Sequence, residues 1–388
     1  MKLLYCTSKE IYKKNAQYYS IGSLPEFLSS LASFFEKIYL LAPINYNSFE
    51  IETLSEIFCP PSLEIIDTTK PAGKFLPHRY IWSFLNFRLF KEFQKKVDLV
   101  VMDSPFVFHL GYLQFISKPL VTLIGGDDLE ISFLSTSTLK RSIIFWLKKL
   151  VEKQFLKKSV KIICVSENLK KKILKRYYLE KSRIEVIPIG IQTDIFIPRP
   201  SEEKKSIRKK LGLGENDLVI GFVASEISYP KGGNEVITVF SELRKKYSNL
   251  KFLLIGKPKI EIPKDSSVLH FDFVKREELP LFYNAMDIFL FPSKSEGAPK
   301  VVMEACACGI PVIATYTGGI PELFEKNYKF LVKVGDIQKM IALCDILLRD
   351  KKIREEIGIL CREFIKKKFD FATLIKKTAD FIKTNLDL

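Results

Sequence analysis

The chain has 388 residues, 47% of them hydrophobic, and this length exceeds what one hydrophobic core usually supports, so we expect two domains. No apolar run is as long as a membrane-spanning helix, and the N-terminal MKLLYCTSKE is too short for a signal peptide and is typical of a first buried strand. The seven cysteines are scattered without a CxxC pair, which favours a reduced, cytoplasmic protein and argues against a zinc site.

The formal net charge of +16 calls for an anionic partner. Nucleic acid is not expected, because no nucleic-acid-binding motif accompanies the charge. Leu139–Lys158 is basic, with large apolar residues such as Trp146 and Leu150 among its lysines, and is typical of a helix that lies on an anionic membrane surface. The alternative is an ordinary domain helix with a lysine-rich outer face.

The first half of the chain alternates short apolar strands with helical patterns. We expect strands at Lys2–Thr7, Lys37–Ala42, Leu63–Thr68, Asp98–Asp103, Leu120–Gly125, Lys161–Val165 and Glu185–Pro188, and helices at Pro25–Glu36, Ile81–Lys95 and Lys140–Lys157. This alternation predicts a doubly wound α/β domain with a parallel sheet. Binding sites in such sheets lie at the carboxyl ends of the strands.

The proline-rich and charged segment from Ile197, IPRPSEEKK, predicts a linker between domains 1–196 and 197–368. The alternation then restarts, with strands expected at Leu218–Ala224, Phe252–Gly256, Val268–Phe271, Asp287–Phe291, Pro311–Thr315 and Phe330–Val334. Helices at about 336–349, 351–368 and 370–386 close the chain. A second α/β domain is therefore expected.

Phe291–Glu322 is the most informative stretch, because a strand there runs into a loop that contains Glu296 and then into a helix. The helix is expected to open at Pro299, to carry Glu304 and to stop at Gly309. Free N–H groups and the positive dipole end at a helix start suit a phosphate, and two carboxylates suit sugar hydroxyls. The alternative is that Glu296 is a solvated loop residue and Glu304 faces water.

This stretch, FPSKSEGAPKVVMEACACGIPVIATYTGGIPE, closely resembles the nucleotide-sugar signature of retaining GT-B glycosyltransferases of glycosyltransferase family 4. IEVIPIGIQTDIFIP at Ile184–Pro198 resembles a second family segment, with Ile189 in place of the usual asparagine. The resemblance covers most of the chain after residue 160. It implies an α/β GT-B fold, in which two Rossmann-like doubly wound domains face a central cleft and a helix at 369–388 crosses back to the first domain.

The resemblance also implies a donor site in the second domain. Lys231, in the loop SEISYPKGG, would contact the diphosphate of the donor. Glu296 would face the donor sugar and the reacting carbon, and Glu304 would accept hydrogen bonds from the ribose. The remaining donor-binding residues implied by the family pattern are Gly297, Ala298, Pro299, Lys300 and Val301, at the start of the helix, and Gly256, near the base.

One departure from the family pattern concerns positive charge at this site. Many members carry an arginine five or six positions before the lysine, where this chain has Glu226 and Ser225. Arg199, Lys300 and Lys294 are the candidate substitutes. The departure leaves the strength of leaving-group activation open.

The first domain resembles the family less closely. Gly22 is a weak match to the family's glycine loop after the first strand, and Asp127 and Asp128, in LVTLIGGDD, match its G-G-x-D turn. The two aspartates are candidates for binding acceptor hydroxyls or stabilising positive charge at the transition state, and the alternative is a turn that caps the next helix. His109 is a candidate acceptor contact, with a structural histidine as the alternative.

The resemblance implies a retaining, metal-independent transferase that moves a sugar from a UDP- or GDP-sugar to an acceptor hydroxyl, with no cofactor beyond that donor. The acceptor would be a surface polysaccharide or glycolipid, and the enzyme would be cytoplasmic and peripheral on the inner membrane face. Two alternatives stay open: a non-catalytic scaffold or partner subunit with the same fold, favoured by the missing arginine, and a sugar-nucleotide epimerase, for which no acid/base residues are convincingly arranged.

Overall fold

The structure is a computed structural model that describes residues 1–15, 17–20, 22–46, 54–68, 82–127, 129 and 138–384, with the backbone alone at 138–144. The chain divides into two compact units. The first contains Met1–Pro188 together with Leu374–Leu388, and the second is Ile189–Thr373. The division therefore falls at Pro188 and again at Leu374, whereas the sequence placed it at residues 196 and 368.

A parallel sheet of seven strands forms the centre of the first unit, in the order β11-β10-β9-β8-β1-β4-β7. Its strands are β1 (Lys2–Cys6), β4 (Lys37–Leu41), β7 (Leu63–Ile65), β8 (Leu99–Asp103), β9 (Leu120–Ile124), β10 (Ser159–Cys164) and β11 (Ile184–Val186). The helices between them are α1 (Leu24–Ala32), α2 (Phe87–Gln94), α3 (Thr138–Lys158) and α4 (Glu167–Tyr177). Every strand predicted in this half is confirmed, with differences of a few residues at the ends.

A second, smaller sheet in the first unit was not predicted. Its four strands, in the order β5-β2-β3-β6, are β2 (Ile11–Lys14), β3 (Gln17–Ser20), β5 (Ile44–Asn45) and β6 (Ser55–Glu56). The strands β2 and β3 pair antiparallel, and Asn15 lies between them at a φ of +48°. An asparagine that tolerates this conformation between two tyrosine-containing segments was the available hairpin signal.

The second unit is built on a parallel sheet of six strands in the order β14-β13-β12-β15-β16-β17. Its strands are β12 (Leu218–Ile227), β13 (Leu250–Pro258), β14 (Val268–Phe271), β15 (Ile288–Phe291), β16 (Val312–Thr315) and β17 (Leu331–Val332). Its helices are α5 (Ser201–Lys210), α6 (Gly233–Arg244), α7 (Leu279–Ala285), α8 (Lys300–Ala307), α9 (Ile337–Arg349) and α10 (Lys351–Lys368).

The strand order of this second sheet reverses between the neighbouring strands β12 and β15. Ligands of doubly wound sheets bind at such a reversal, outside the carboxyl ends of the strands. Below that edge, Phe222 on β12 stacks near Phe291 on β15, with ring centroids 6.1 Å apart, and both rings are buried. Apolar packing thus fixes the two strands whose following loops carry the candidate site.

The last helix, α11 (Phe371–Lys383), runs into the first unit. Ala379 and Ile382 on α11 are fully buried, and the Lys161 ammonium of β10 donates to the carbonyl of Phe381 at 2.6 Å. Lys377 pairs with Glu185 of β11 at 2.7 Å. Among the described residues, no helix has the length and apolar character needed to cross a membrane.

Candidate functional site

Two loops meet where the strand order of the second unit reverses. One, Ser228–Gly232, connects β12 to α6, and the other, Pro292–Pro299, connects β15 to α8. The Lys294 amide donates to the Pro230 carbonyl at 2.9 Å, which ties the loops together. Gly232 has a φ of +79°, and a Cβ there would lie 2.2 Å from the Pro292 carbonyl oxygen. A glycine is therefore required for the loops to approach this closely.

Lys231 and Glu296, both predicted from the sequence, form an ion pair between these loops. The Lys231 Nζ lies 2.7 Å from Glu296 Oε1, which also accepts a hydrogen bond from the Ser293 hydroxyl at 2.7 Å. The lysine side chain is 34% exposed and the glutamate side chain 9%. Glu296 is therefore not a solvated loop residue, and its lysine partner still reaches solvent.

A third loop, after β16, holds the Glu296 backbone in place. The Gly319 amide donates to the Glu296 carbonyl at 3.2 Å, and the Thr317 hydroxyl donates to the Lys294 carbonyl at 3.2 Å. Gly318 has a φ of +55°, and a Cβ there would lie 1.8 Å from the Glu296 carbonyl oxygen. The Thr-Gly-Gly segment thus positions the Glu296 loop through one backbone and one side-chain hydrogen bond, and the close approach at Gly318 leaves no room for a side chain.

Glu304 lies inside α8 and is buried, so the alternative that it faces water is excluded. Its Oε1 accepts from Arg276 Nη1 at 2.9 Å, and its Oε2 accepts from the Tyr283 hydroxyl at 2.8 Å. Burial, with Glu304 nearby, raises the pKa of Tyr283 well above its ordinary value, so the phenol is a neutral donor. Sequence reasoning assigned no role to Arg276 or Tyr283, although Tyr283 lies in LFYNAMDIFLFPS, a segment that resembles the family's usual run into the signature.

The start of α8 has no side-chain cap. Pro299 stands at the N-cap without a side-chain hydrogen bond, and the helix begins at Lys300. Gly297, Ala298 and Val301 are half-buried around this start. Unpaired N–H groups in the first turn, together with the positive dipole end, can bind a phosphate.

Gly256 lies near the end of β13 with a φ of +141°. A Cβ there would lie 2.2 Å from the Ala224 carbonyl oxygen of β12, and its own carbonyl oxygen is 2.9 Å from His270 Nε2. The glycine allows close packing of the two strand ends beside the candidate site. Contact with a base stays a prediction.

The structure places the candidate substitutes for the missing arginine in different surroundings. Lys294 pairs with Glu235 and lies over the Tyr229 ring, 4.0 Å from its centroid. Lys300 is the first residue of α8, whereas Arg199 donates its backbone N–H to Asn284 and lines a separate cavity. Glu226, at one of the two arginine positions, lies 3.7 Å from the Lys259 ammonium.

In the first unit, the acceptor candidates take part in internal contacts. Asp127 accepts two hydrogen bonds from the Arg176 guanidinium, at 3.1 and 2.7 Å. His109 is fully buried, with its Nε2 3.2 Å from the Asp103 carbonyl oxygen. These contacts favour the structural alternatives for both residues, and their acceptor roles stay predictions.

For two further candidates in the first unit, Gly22 and Asp128, the structure gives little evidence about a role. Gly22 is exposed, with a φ of +70° and open space where a Cβ would lie, so its geometry requires only a glycine-like backbone. Asp128 lies outside the described residues. In the described part of the chain, no cluster of three or more His, Cys, Asp or Glu side chains is placed to hold a metal ion, and all seven cysteines are free.

Comparison with known proteins identifies the family. Residues 203–363 match the family described as glycosyl transferases group 1, and residues 49–195 match glycosyltransferase family 4. The capsular polysaccharide biosynthesis glycosyltransferase CapM of Staphylococcus aureus is 31% identical over 298 residues, which are 72% of this chain and 77% of that protein.

Two more distant similarities concern a mycobacterial enzyme and a solved structure. A GDP-mannose-dependent alpha-(1-6)-phosphatidylinositol monomannoside mannosyltransferase of Mycobacterium tuberculosis is 30% identical over 217 residues, covering 52% of this chain and 56% of that protein. The crystal structure of Anabaena Alr3699/HepE in complex with UDP and glucose has a TM-score of 0.74 at 17% identity, covering 99% of this chain and 100% of that one.

The two parallel-sheet units form the fold of the GT-B glycosyltransferases, as both the strand orders and the structural similarity show. Within that class, the chain belongs to glycosyltransferase family 4. It is a glycosyltransferase.

Proposed function

We propose that the protein transfers a sugar from a UDP- or GDP-sugar to an acceptor hydroxyl with retention at the anomeric carbon. The observation that carries the proposal is the Lys231–Glu296 pair, which lies at the strand-order reversal beside the start of α8, a helix end without a side-chain cap. The second unit thus brings together a cation that can change partner, a carboxylate and a helix start suited to phosphate. The cation and the helix start would bind the diphosphate of the donor, and the carboxylate would bind its sugar.

In this proposal, each group of the site has one task. The Lys231 ammonium moves from Glu296 to the donor diphosphate, because a doubly charged diphosphate attracts it more strongly than one carboxylate. Glu296, released from the pair, accepts hydrogen bonds from the donor sugar. Glu304 binds the ribose with the lone pairs that Arg276 and Tyr283 leave free, since a carboxylate offers about four acceptor positions.

The chemical step breaks the bond between the anomeric carbon and the diphosphate oxygen, and the acceptor oxygen bonds to the same face of that carbon. The acceptor proton passes to the departing phosphate oxygen, so that the step balances without a protein nucleophile. The transition state resembles an oxocarbenium ion, as in glycoside hydrolysis. Lys231 and the N–H groups of α8 stabilise the charge that develops on the diphosphate, without a metal ion.

The similar proteins support particular donors and acceptors. The Anabaena structure contains UDP and glucose, and the mycobacterial relative is named for GDP-mannose, so UDP and GDP are the nucleotides to test first. The names of two relatives refer to capsular polysaccharide and to a phosphatidylinositol mannoside. A surface polysaccharide or glycolipid acceptor is therefore part of the proposal.

Thermal unfolding in the presence of UDP, GDP, UDP-glucose and GDP-mannose tests the proposed donor site. We expect one nucleotide series to raise the Tm of the wild-type protein, and Glu304→Gln to weaken that shift, because the ribose loses a charged acceptor. Glu325→Gln, a change at an exposed carboxylate of the same unit, is the matched control. If no nucleotide or nucleotide sugar stabilises the wild-type protein, the non-catalytic scaffold is the better account.

We also propose that α3 holds the protein on an anionic membrane surface. Its described side chains expose Trp146, Leu147 and Leu150, and the exposed Lys153 and Lys157 follow on the same face. Apolar side chains next to lysines suit the boundary between lipid headgroups and acyl chains. The fully buried Phe155 instead packs in the core.

Co-sedimentation with phosphatidylcholine vesicles that contain phosphatidylglycerol tests this surface. The double variant Trp146→Ser, Leu150→Ser is expected to lose binding, because it removes the inserted apolar groups. Ile359→Ser, Leu360→Ser on α10 removes two similarly exposed apolar residues and is expected to bind as the wild type does. Equal binding by both double variants would contradict the assignment of α3.

A further inference from the structure

A cavity of about 1050 Å³ opens in the second unit, away from the residues proposed to bind the donor. It is lined by α5, by the beginning of α10 and by the turn Gly309–Pro311. Lys231, Glu296 and Glu304 are not part of its lining. Seven of its lining residues are lysine or arginine and four are aspartate or glutamate, so the cavity carries a positive balance.

One carboxylate, that of Asp287, holds two of the arginines of the lining in place. Asp287 Oδ2 lies 2.7 Å from Arg208 Nη2 and also accepts from the Val219 amide at 2.8 Å. Asp287 Oδ1 lies 3.8 Å from Arg354 Nε. Two guanidinium groups therefore share a single carboxylate, and the group of three keeps a net positive charge.

Two other cations of the lining have donor capacity that no protein group fills in the described part of the chain. The side-chain ammonium of the half-buried Lys204 has neither a hydrogen bond nor an ion pair among the described residues. Burial lowers the pKa of Lys204, and Arg208 lowers it further, while Asp287 raises it. The Nε of Arg199 is buried without a hydrogen-bond acceptor, and the carboxylate oxygen of Glu203 is 3.6 Å away.

A half-buried ammonium without an anionic partner is costly, and so is a buried guanidinium N–H whose carboxylate partner lies too far away to accept a hydrogen bond. A guanidinium donates in a planar fork and an ammonium acts as a point charge, and the two together match the several oxygens of a phosphate. The cavity is large enough for a phosphate that carries an organic group, because ligand pockets span roughly 300–1,000 Å³.

From these observations we infer that the second unit has an anion site, separate from the donor loops, that binds the phosphate or diphosphate group of an ester through Lys204 and Arg199. The inference rests on the cavity and its cations and is independent of the proposed donor site. The two sites share the helix α7, where Tyr283 contacts Glu304 and the neighbouring Asn284 accepts the Arg199 amide at 2.8 Å. Adjacent residues of α7 therefore contact a residue of each site, Glu304 of the donor site and Arg199 of the anion site.

Isothermal titration of the full chain with inorganic pyrophosphate tests the site. We expect Lys204→Gln to weaken binding by about tenfold or more, because a charged hydrogen-bond donor is lost. Arg199→Gln is expected to weaken it as well. Lys210→Gln, an exposed change on the same helix that lies outside the lining, is expected to leave binding unchanged.

Lys231→Gln separates this inference from the donor proposal, because pyrophosphate is also a fragment of the donor. If the anion site exists, the Lys231→Gln protein still binds pyrophosphate at that site. The Lys204→Gln protein loses this binding event. Binding that disappears with Lys231→Gln and persists with Lys204→Gln would place pyrophosphate at the donor loops and overturn the inference. Absence of pyrophosphate binding by the wild-type protein would overturn it too.

A second titration identifies the source of the phosphate. Phosphatidylcholine vesicles that contain phosphatidic acid are compared for the Trp146→Ser, Leu150→Ser protein with and without Lys204→Gln, so that binding through α3 does not contribute. A loss of vesicle binding by Lys204→Gln, in parallel with its loss of pyrophosphate binding, assigns the site to a lipid headgroup. Unchanged vesicle binding, with pyrophosphate binding lost, assigns it to a soluble phosphate ester.

Discussion

The two units place ion pairs at the carboxyl ends of their sheets, and the two pairs differ in kind. In the second unit, Lys231 is 34% exposed and meets Glu296 through a single contact at 2.7 Å. In the first unit, Asp127 is 6% exposed and Arg176 19%, and they share two hydrogen bonds. A pair with one solvent-facing partner can exchange that partner for a ligand, whereas a bidentate and more buried pair resists separation.

The two pairs also differ in what holds the carboxylate in place, which is the backbone at Glu296 and side chains at Asp127. Around Glu296, the glycines Gly232 and Gly318 allow carbonyl contacts that would clash with any Cβ. Around Asp127, by contrast, the contacts are made by side chains, including the Lys172 ammonium at 3.9 Å. The comparison shows that a fixed backbone frame holds Glu296, which suits the proposed exchange of Lys231 from the carboxylate to a ligand, whereas the described contacts of Asp127 stabilise the first unit itself.

The substitution expected to reduce activity most, and so to test this comparison most strongly, is Gly318→Ala. The new Cβ would overlap the Glu296 carbonyl oxygen and displace the loop, so we expect kcat/KM to fall on the order of 10²-fold, as for a displacement of about 1 Å at an active site. Gly335→Ala is the matched control, since Gly335 also has a positive φ, of +83°, but has no heavy atom within 4 Å of a Cβ. Equal losses in the two variants would show that backbone strain alone is responsible.

A smaller effect is expected from Arg276→Ala, which removes one of the two donors to the buried Glu304. The carboxylate then lacks its ionic partner, and we expect donor affinity to fall about tenfold and the free energy of unfolding to fall by about 1–3 kcal/mol. Lys275→Ala, at the exposed neighbouring residue, controls for the turn itself. Titration with the donor and chemical denaturation measure the two effects, and unchanged donor affinity would exclude Arg276 as a positioning residue.

The smallest effect on activity is expected from Asp127→Asn. Loss of the charge weakens the pair with Arg176, so the free energy of unfolding should fall by about 1–3 kcal/mol while donor KM and kcat stay at wild-type values. Glu180→Gln, at an exposed carboxylate of the first unit, is expected to change neither quantity. A large loss of kcat with unchanged stability would instead restore Asp127 as an acceptor-binding residue.

The sequence predicted the parallel strands and the loop residues of the second unit because these leave local traces. The apolar runs of β15 and β16 are short and continuous, as buried strands require. Glu296 and Lys231 stand in glycine-containing loops after strands, and the resemblance of these segments to the family pattern singled the two residues out. Such features depend on neighbours in the chain. They can be read without knowledge of the tertiary structure.

What the sequence did not reveal depends on pairing across long separations. Arg276 and Tyr283 meet Glu304 across 28 and 21 residues, and nothing near them in the chain signals that contact. The division at Pro188 arises because the Ile191 amide and carbonyl pair with the backbone of Phe369 and Phe371, which binds the segment before the predicted linker to the second unit. The β2–β3 hairpin was missed because its strands are short and mostly polar.

The central claim is that Lys231 stabilises a departing nucleoside diphosphate. Its most direct test is the rate of nucleotide release, measured for wild-type, Lys231→Ala and Lys259→Ala proteins with the donor that stabilises the wild type. We predict that Lys231→Ala raises the barrier by about 2–4 kcal/mol, on the order of 10²-fold in kcat, and that Lys259→Ala, at an exposed lysine after β13, has no effect. Full turnover by Lys231→Ala would contradict the account.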